Sequence, residues 1–231
     1  MIGFGLASRG GTLARIFMFD AYGTLFDVHS AVIRAGAPLG DKAQELSALW
    51  RQKQLEYSWV LTAMGRGGSA DFWTLTERAL DFAMARFGLG DPALRNALLD
   101  AYRVLDAFPD VAKVLGRLKS ARHRTVVFTN GTHAMVKNAI AASRLGGYID
   151  QVISVEQTGH FKPAMPVYAV ASRLALADHP SDITFVSSNR WDIAGAFAAG
   201  FTPIWVNRTG LPDEYPGLPP LKIVPDLHGV D

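Results

Sequence analysis

Residues 16–27 of the chain read Ile-Phe-Met-Phe-Asp-Ala-Tyr-Gly-Thr-Leu-Phe-Asp. Four apolar residues lead directly to Asp20, and a turn that contains Gly23 and Thr24 follows. This pattern is typical of a buried parallel strand whose last residue reaches the carboxyl edge of a sheet, where open α/β sheets bind their ligands. Asp20 is therefore a candidate functional carboxylate, although the same residues also fit an aspartate that only caps the turn.

Helical and strand patterns alternate from Phe108 onward. Strands are predicted at 124–129, 151–155, 183–187 and 202–206, and the segments between them have helical spacing. Repeated βα units predict an α/β fold with a doubly wound parallel sheet. The strand at 202–206 is expected to be the last one, and residues 211–220 are proline-rich and predict a loop.

The segment between the first strand and these βα units shows only helical spacing. It predicts helices at 41–63, at 69–87 and from Pro92 to about residue 105. We therefore expect two domains. The α/β core would comprise residues 1–27 and 107–231, and a helical domain would be inserted at 28–106.

The composition excludes several classes of protein. The chain has 231 residues, a formal net charge of +2 and no basic run, so nucleic acid is not indicated as a partner. It has no cysteine, which excludes disulfides, thiolate metal sites and a cysteine nucleophile. The six histidines lack metal-ligand spacing, and no apolar stretch reaches the roughly 20 residues of a membrane span. Residues 1–14 do not have the features of a signal peptide, so we expect a cytoplasmic protein.

Polar side chains follow three of the predicted strands. They are Asp20, Thr24, Thr129, Asn130, Ser187, Ser188, Asn189 and Asp192. Lys162-Pro163 lies in the loop after the strand at 151–155. A Lys-Pro pair most often marks only a turn or loop at the surface. Beside Asp20 and Asp192, however, the lysine can neutralise both acids and favour their ionised forms.

These residues resemble the motifs of the haloacid dehalogenase superfamily. The matching motifs are Asp20-x-x-Gly23-Thr24, Thr129-Asn130-Gly131, Lys162-Pro163 and Ser188-Asn189-x-x-Asp192. They occur in the superfamily's order and span nearly the whole chain. The resemblance implies a Rossmann-like core, with Asp20 as its nucleophile and residues 28–106 as the cap inserted after the first strand.

Two departures from the superfamily's phosphatases bear on the reaction. Those enzymes carry a second aspartate two residues after the nucleophile, where this chain has Tyr22, and a magnesium-binding aspartate where it has Ser188. Without these acids little would protonate a leaving alkoxide or offset the charge of a phosphate through a metal. The losses favour carbon–halogen cleavage, with a magnesium-dependent phosphatase as the alternative.

A finer resemblance is to the L-2-haloacid dehalogenases (type II). It rests on Phe19–Asp27, on the cap segment Ala48–Tyr57, on Lys162-Pro163 with Tyr168, and on Ser187-Ser188-Asn189-x-Trp191-Asp192. The resemblance implies hydrolysis of (S)-2-haloalkanoates to (R)-2-hydroxyalkanoates and halide, with inversion and without a metal or organic cofactor. It also implies a homodimer. A non-catalytic protein on the same fold is a second alternative, disfavoured because the charged residues occur together.

The resemblance also implies a role for each site residue. Asp20 attacks C2 to form an ester, Asp192 activates or positions the water that hydrolyses it, and Lys162 holds the two acids. The substrate carboxylate would bind Thr129 and the backbone N–H groups of Ala21 and Tyr22, and the halide would meet Arg51, Asn130 and Phe72. Supporting hydrogen bonds are assigned to Thr24, Tyr168, Ser187 and Asn189. Tyr22, Phe72 and Trp191 would form an apolar wall, and Tyr57 and Trp59 are expected in the core of the cap.

Overall fold

A computed structural model describes residues 15–230, and the predictions made for residues 1–14 and 231 lie outside the described residues. Its six strands are β1 Ile16–Phe19, β2 Arg124–Thr129, β3 Gln151–Ser154, β4 Ile183–Ser187, β5 Thr202–Val206 and β6 Lys222–Val224. They form one sheet in the order β3-β2-β1-β4-β5-β6, with parallel pairing throughout. The predicted α/β fold with a parallel sheet is therefore confirmed.

Within residues 15–230, eight α-helices lie between consecutive strands of the chain. They are α1 Ser30–Ala35, α2 Ala43–Ala63, α3 Phe72–Arg86, α4 Pro92–Arg103, α5 Val111–Ser120, α6 His133–Ala142, α7 Met165–Leu174 and α8 Arg190–Ala198. From β1 the chain proceeds outward to β2 and β3 on one side and to β4, β5 and β6 on the other. Because βα crossovers are right-handed, these two directions place helices on opposite faces of the sheet.

The first strand is at the centre of the sheet and is buried. Phe19 pairs with Val127 of β2 and with Val186 of β4, and both Met18 and Phe19 are fully buried. A strand that is covered on both faces reads as a continuous apolar run, which is why residues 16–19 were recognisable from sequence. The strand delivers Asp20 to the carboxyl edge, where its N–H donates to Val186 O at 2.9 Å.

The prediction that the strand at 202–206 ends the sheet was wrong. The short strand β6 pairs with β5, with Ile204 opposite Lys222. Only three residues form β6 and two of them are exposed, so no alternating or continuous apolar pattern marks it in the sequence. The proline-rich segment before it returns the chain from the carboxyl end of β5 to the level of Pro203, where Leu221 N donates to Pro203 O at 2.8 Å, so β6 runs parallel to β5.

Helices α1 to α4 lie between β1 and α5 in the chain and pack mainly against one another, α2 on α3 and α1 on α4. The two chain crossings between this helical segment and the sheet lie side by side. Phe26 forms an antiparallel bridge with Ala107, and Asp27 N donates to Asp106 O at 2.8 Å. These contacts support our proposal that residues 28–106 are the cap domain and that the flanking segments form the core.

Local signals explain where the cap helices begin and end. The Asp71 carboxylate accepts a hydrogen bond of 2.7 Å from Thr74 N, so α3 begins at Phe72 and not at Ser69 as the spacing predicted. After its last turn Gly88 has φ +68°, and Leu89 N donates to Met84 O at 2.8 Å, which is the glycine-dependent helix end. Within residues 15–230 no helix combines the length and apolarity needed to cross a bilayer.

Candidate active site

The polar strand ends meet at the point where the strand order reverses. Strand β1 has β2 on one side and β4 on the other, so the loops after these strands diverge and leave a crevice at the carboxyl edge of the sheet. The side chains that the sequence placed after these strands converge here. Two elements farther along join them, the loop with Lys162 and the start of α8 with Asp192.

Asp20 is 95% buried, and its two carboxylate oxygens have different partners. Oδ2 accepts hydrogen bonds from Thr24 Oγ1 at 3.0 Å, from Asn189 Nδ2 at 2.7 Å and from Ser187 Oγ at 3.4 Å. Oδ1 faces Lys162 Nζ at 3.3 Å. The three neutral donors all bond to Oδ2, and together with Lys162 they hold the carboxylate in one orientation.

Lys162 is a buried cation with three oxygen partners. Besides Asp20, its Nζ donates to Phe128 O at 2.7 Å and to Asp192 Oδ2 at 2.9 Å. The rings of Phe128 and Phe185 lie 4.1 Å and 5.1 Å from Nζ. A buried ammonium requires this degree of pairing, because an unpaired one would be strongly disfavoured. The lysine therefore connects the two carboxylates and cannot turn to solvent without losing all three bonds.

Asp192 is fully buried, and burial raises its pKa to about 6. The Lys162 charge and the hydroxyl of Tyr168, which donates to Oδ1 at 2.6 Å, lower the pKa, whereas the Asp20 charge raises it further. The lysine thus favours the ionised form, yet it does not bring the pKa back to the ordinary aspartate value. Burial and the Asp192 charge hold the pKa of Tyr168 well above its usual value, so this tyrosine is a hydrogen-bond donor at neutral pH.

Two loops position the side chains that donate hydrogen bonds to Asp20. Thr24 Oγ1 donates to Asp20 and accepts from Ser188 N at 2.8 Å, and Ser187 Oγ accepts from Asn189 N at 3.0 Å. Gly23 has φ +90°, a conformation that favours glycine and returns the chain toward the sheet. The loops after β1 and β4 are therefore joined directly to each other.

The loop after β2 contributes Thr129 and Asn130. Thr129 Oγ1 accepts from Gly131 N at 3.0 Å, and Asn130 Oδ1 accepts from Lys162 N at 2.9 Å. A Cβ at Gly131 would lie 2.6 Å from the Tyr22 ring, so the glycine is required for Tyr22 to pack here. Because the amide oxygen of Asn130 is engaged, its nitrogen is the group left to donate to a ligand.

Arg51 reaches the site from helix α2. Its Nη2 donates to Tyr22 O at 3.2 Å, and Asn189 Nδ2 donates to the same carbonyl at 3.1 Å. Its Nη1 is buried and has no hydrogen-bond partner within residues 15–230. A buried guanidinium nitrogen that lacks a partner is disfavoured, so this donor calls for an anionic ligand.

Aromatic rings close the site on the side of the cap. Phe72 is 1% exposed, and its ring centroid lies 6.5 Å from that of Tyr22 and 6.0 Å from that of Phe161. Tyr22 stacks on Tyr102 at 5.9 Å, nearly parallel. A cavity of about 130 Å³ borders Phe72 and Asn130 and extends between the cap and the loop around residue 160.

The expectation that Trp59 lies in the core of the cap was wrong. Trp59 is 37% exposed, and its ring meets the edge of Trp191 at 5.5 Å, so the two rings bridge α2 and α8. Trp59 follows the buried Trp50 by nine residues, which is about two and a half helical turns and therefore the opposite side of α2. Tyr57 is partly buried and packs against the core, as expected. The ring of Trp191 packs against Trp59.

Two polar groups that support the site were not found from sequence. Arg208 Nη2 donates to Thr24 O at 3.2 Å and to Oδ1 of the buried Asp110 at 3.1 Å, and Nη1 donates to Asp110 Oδ2 at 2.9 Å. In the cap, Gln54 and Tyr102 are buried and joined by a hydrogen bond of 3.3 Å. No local motif marks these residues, because their partners are distant in the chain. Within residues 15–230 no cluster of three His, Cys, Asp or Glu side chains could hold a metal ion.

Comparisons with known proteins agree with this geometry. Residues 14–200 match the family model of the haloacid dehalogenase-like hydrolases. The chain is 49% identical over 203 residues to (S)-2-haloacid dehalogenase 1 of Pseudomonas sp. (strain CBS-3), covering 87% of this chain and 88% of that protein. A crystal structure of a dehalogenase superposes with a TM-score of 0.90 at 42% identity, covering 94% and 95% of the two chains.

A further solved structure bears on the chemistry. It is the L-2-haloacid dehalogenase from Xanthobacter autotrophicus with chloropropionic acid covalently bound, with a TM-score of 0.81, 32% identity and coverage of 93% and 96%. Identity of this order over nearly the whole chain, with the family model, establishes the family. The chain is a haloacid dehalogenase-like hydrolase and belongs with the (S)-2-haloacid dehalogenases.

Proposed function

We propose that this protein hydrolyses (S)-2-haloalkanoates to (R)-2-hydroxyalkanoates and halide through an ester of Asp20. The observation that carries the proposal is that the two Asp20 oxygens differ in their hydrogen-bond partners. Three side chains donate to Oδ2, whereas within residues 15–230 Oδ1 has one hydrogen-bond partner, the ammonium of Lys162. A buried carboxylate with one oxygen anchored and the other less encumbered is suited to nucleophilic attack.

In the first step Oδ1 of Asp20 attacks C2 from the side opposite the halogen. The new C–O bond forms as the carbon–halogen bond breaks with its electron pair, so C2 inverts. Arg51 Nη1 and the Asn130 amide nitrogen are the donors proposed to receive the halide, and the Phe72 ring packs beside it. Charged donors directed at a leaving anion lower the barrier, because the negative charge there develops in the transition state.

The substrate carboxylate is proposed to bind Thr129 and the N–H groups of Ala21 and Tyr22. Thr129 Oγ1 already accepts from Gly131 N, so its hydroxyl proton is available to donate. Leu25 N and Phe26 N both donate to Ala21 O at 2.9 and 3.0 Å, so this turn directs its first N–H groups outward. Such N–H groups at the start of a helical turn bind carboxylates well.

In the second step water attacks the carbonyl carbon of the ester. Asp192 accepts one of the two protons of the water as the C–O bond to the hydroxyacid breaks. Of these two protons, one ends on the oxygen of the departing hydroxyacid and the other is released to solvent, which leaves Asp20 and Asp192 ionised. A base with a pKa of about 6 is ionised and still moderately basic at neutral pH. Lys162 lies between the two acids and stabilises the charge that shifts from one to the other.

The alternative of a magnesium-dependent phosphatase is not favoured. At the position of the missing acid, burial raises the pKa of Tyr22 well above its usual value, so this phenol is a far weaker acid than the aspartate that it replaces. Its ring is stacked on Tyr102 in the cap. Ser188, in the place of the metal-binding aspartate, presents a hydroxyl and supplies its N–H to Thr24.

The direct test is halide release from the two enantiomers of 2-chloropropionate, with and without a chelator. We expect release from the (S) enantiomer only, yielding (R)-lactate, and no effect of the chelator. A generic phosphate ester that is hydrolysed only with magnesium would support the phosphatase, and no turnover of either substrate class would support a binding protein.

Heavy-oxygen water separates the ester route from direct attack by water. In a single turnover with enzyme in excess, the ester route places an Asp20 oxygen in the product, so the hydroxyacid stays unlabelled and the peptide with Asp20 becomes labelled. Direct attack activated by Asp192 would label the product at once and leave Asp20 light. That result would overturn the assignment of Asp20 as nucleophile.

We also propose a cytoplasmic homodimer that pairs through the outer face of the cap. Val60 of α2, Met64 directly after that helix and Phe82 of α3 are 50%, 60% and 42% exposed, and exposed apolar side chains of this size favour an interface. Sedimentation should give twice the chain mass for the wild type and less for Val60→Glu. A monomeric wild type would contradict the dimer, and activity in a periplasmic fraction would contradict the location.

A further inference from the structure

A chain of buried hydrogen bonds in the cap runs behind Arg51. Thr76 Oγ1 donates to Phe72 O at 2.8 Å, Gln54 Nε2 donates to Thr76 Oγ1 at 3.1 Å, and Tyr102 OH donates to Gln54 Oε1 at 3.3 Å. Gln54, Thr76 and Tyr102 are each at most 3% exposed. The chain therefore begins beside one residue of the proposed halide site, Phe72, and ends beside another, Arg51.

The direction of this chain follows from its first member. The Thr76 hydroxyl uses its one proton on Phe72 O, so toward Gln54 it accepts. This orients the Gln54 amide, with its nitrogen toward Thr76 and its oxygen toward Tyr102. The Tyr102 hydroxyl must then donate to Gln54, and its lone pairs are left for another donor.

Arg51 precedes Gln54 by three residues on α2, so the two side chains lie on the same face of that helix, the face whose Gln54 amide contacts Tyr102. Burial raises the pKa of Tyr102, and the Arg51 charge beside the hydroxyl lowers it. Arg51 Nη2 is held by Tyr22 O, and the Tyr22 ring in turn stacks on Tyr102. Guanidinium and tyrosine are thus linked through both the backbone and the ring of Tyr22.

We propose that Gln54 and Tyr102 are positioning residues that present a lone pair to Arg51 and so hold its Nη1 toward the departing halide. This rests on the proposed function, in which Arg51 receives that halide. Without the chain the Tyr102 proton could turn toward the guanidinium and repel it. Neither residue touches the reacting atoms, and both act through the orientation of Arg51.

Tyr102→Phe tests the proposal, because it removes the hydroxyl and keeps the ring that stacks on Tyr22 and contacts Trp50. Halide release is measured in a single turnover with (S)-2-chloropropionate and with (S)-2-bromopropionate. Chloride is the poorer leaving group and depends more on the guanidinium. We expect chloride release to slow by about tenfold or more and bromide release by clearly less, so that the bromide-to-chloride ratio rises.

Tyr57→Phe is the matched control, because it removes the hydroxyl of a half-buried tyrosine on α2 away from Arg51, and it should leave the ratio unchanged. Gln54→Met is a second variant with a similar shape and no amide, for which the ratio should also rise. An unchanged ratio in folded Tyr102→Phe or Gln54→Met would overturn the proposal, because a structural defect slows both substrates alike.

Failure of the proposed function would be seen separately. A wild type that releases no halide from either substrate contradicts the dehalogenase assignment. The positioning role is then tested by calorimetry with sodium bromide alone. We expect weaker bromide binding in Tyr102→Phe than in the wild type, and equal binding would overturn the role of Tyr102.

Discussion

The side-chain amide of Asn189 donates a hydrogen bond of 2.7 Å to Oδ2 of Asp20. This is the shortest of the three side-chain bonds to that oxygen, and the same nitrogen also donates to Tyr22 O, the carbonyl that Arg51 contacts. Asn189 thus connects Asp20, the proposed nucleophile directly after β1, with the carbonyl that the cap residue Arg51 contacts. The bond makes the two oxygens of Asp20 unequal, and the first prediction tests this.

Asn189→Ala should lower the rate of halide release by about 10- to 100-fold, because a hydrogen bond to a charged group contributes roughly 1.5–3 kcal/mol. The loss should appear in kcat, with circular dichroism unchanged. Asn138→Ala removes an exposed asparagine of α6 and serves as the control. If Asn189→Ala turns over like that control, the anchoring of Oδ2 does not assist attack.

Asp20→Asn should abolish halide release and leave the fold intact. The amide is isosteric, but it does not displace a halide. Rates are followed by chloride release, with the melting temperature as the check of folding and exposed Asp41→Asn as the control. Delayed recovery of activity would indicate deamidation to aspartate, which mass spectrometry of the peptide detects. Undiminished turnover at once would remove Asp20 from the mechanism.

Arg51→Ala should slow halide release by at least about 100-fold, which corresponds to roughly 2.7 kcal/mol of barrier. Its effect on the free energy of unfolding should be small, because within residues 15–230 the guanidinium donates one hydrogen bond, to Tyr22 O, and its buried Nη1 has no partner. Arg78→Ala, an exposed arginine of α3, is the control. A collapsed melting temperature with an undiminished rate in the folded fraction would make Arg51 structural.

The raised pKa of Asp192 predicts an acidic limb in the pH–rate profile. Ester hydrolysis should fall at acidic pH, since the protonated carboxyl no longer accepts a proton from water. The midpoint for this step should lie below the value of about 6, because the ester removes the Asp20 charge that raises the pKa of Asp192. Presteady-state measurements that follow product release after the halide burst isolate this step. A profile that is flat from pH 8 down to about pH 4, the ordinary aspartate pKa, would exclude Asp192 as the base of that step.

The same group links stability to pH with a defined sign. Because its pKa in the folded state is about 6 and lies above the unfolded value, folded Asp192 binds its proton more tightly, so its contribution favours the folded state at low pH. That contribution is lost as the pH rises from about 4 to about 6. Relative to Asp192→Asn, the wild type should therefore lose stability over this window in urea titrations. A constant difference would contradict the shift.

Asp110→Asn should destabilise the fold by about 2–3 kcal/mol, because it leaves the partly buried Arg208 without its carboxylate. Burial raises the pKa of Asp110, but hydrogen bonds from Arg208 and Leu227 outweigh it, so the pKa is lowered. This stabilisation is present above the ordinary aspartate pKa and is lost as the pH falls through the folded value. Urea unfolding of the wild type and of the exposed control Asp182→Asn provides the comparison.

The sequence by itself determined the five longer strands of the sheet and which polar residues follow them. A continuous apolar run at 16–19 predicts a buried parallel strand, and parallel strands bring their carboxyl ends to one edge. Asp20, Asn130 and Ser187 were therefore predictable neighbours without knowledge of any contact. Arg51 had no such signal, since an arginine on a helix is most often a solvated charge, and only the family motif around it indicated a role.

Only the tertiary structure decided how these groups act. Which Asp20 oxygen is anchored, how far burial raises the pKa of Asp192, and which hydroxyl faces Arg51 depend on contacts between residues up to 169 positions apart. The exposed pairing of Trp59 with Trp191 and the short edge strand β6 escaped prediction for the same reason. Periodicity reports which face of an element is apolar, whereas hydrogen-bond direction and desolvation depend on what packs against that face.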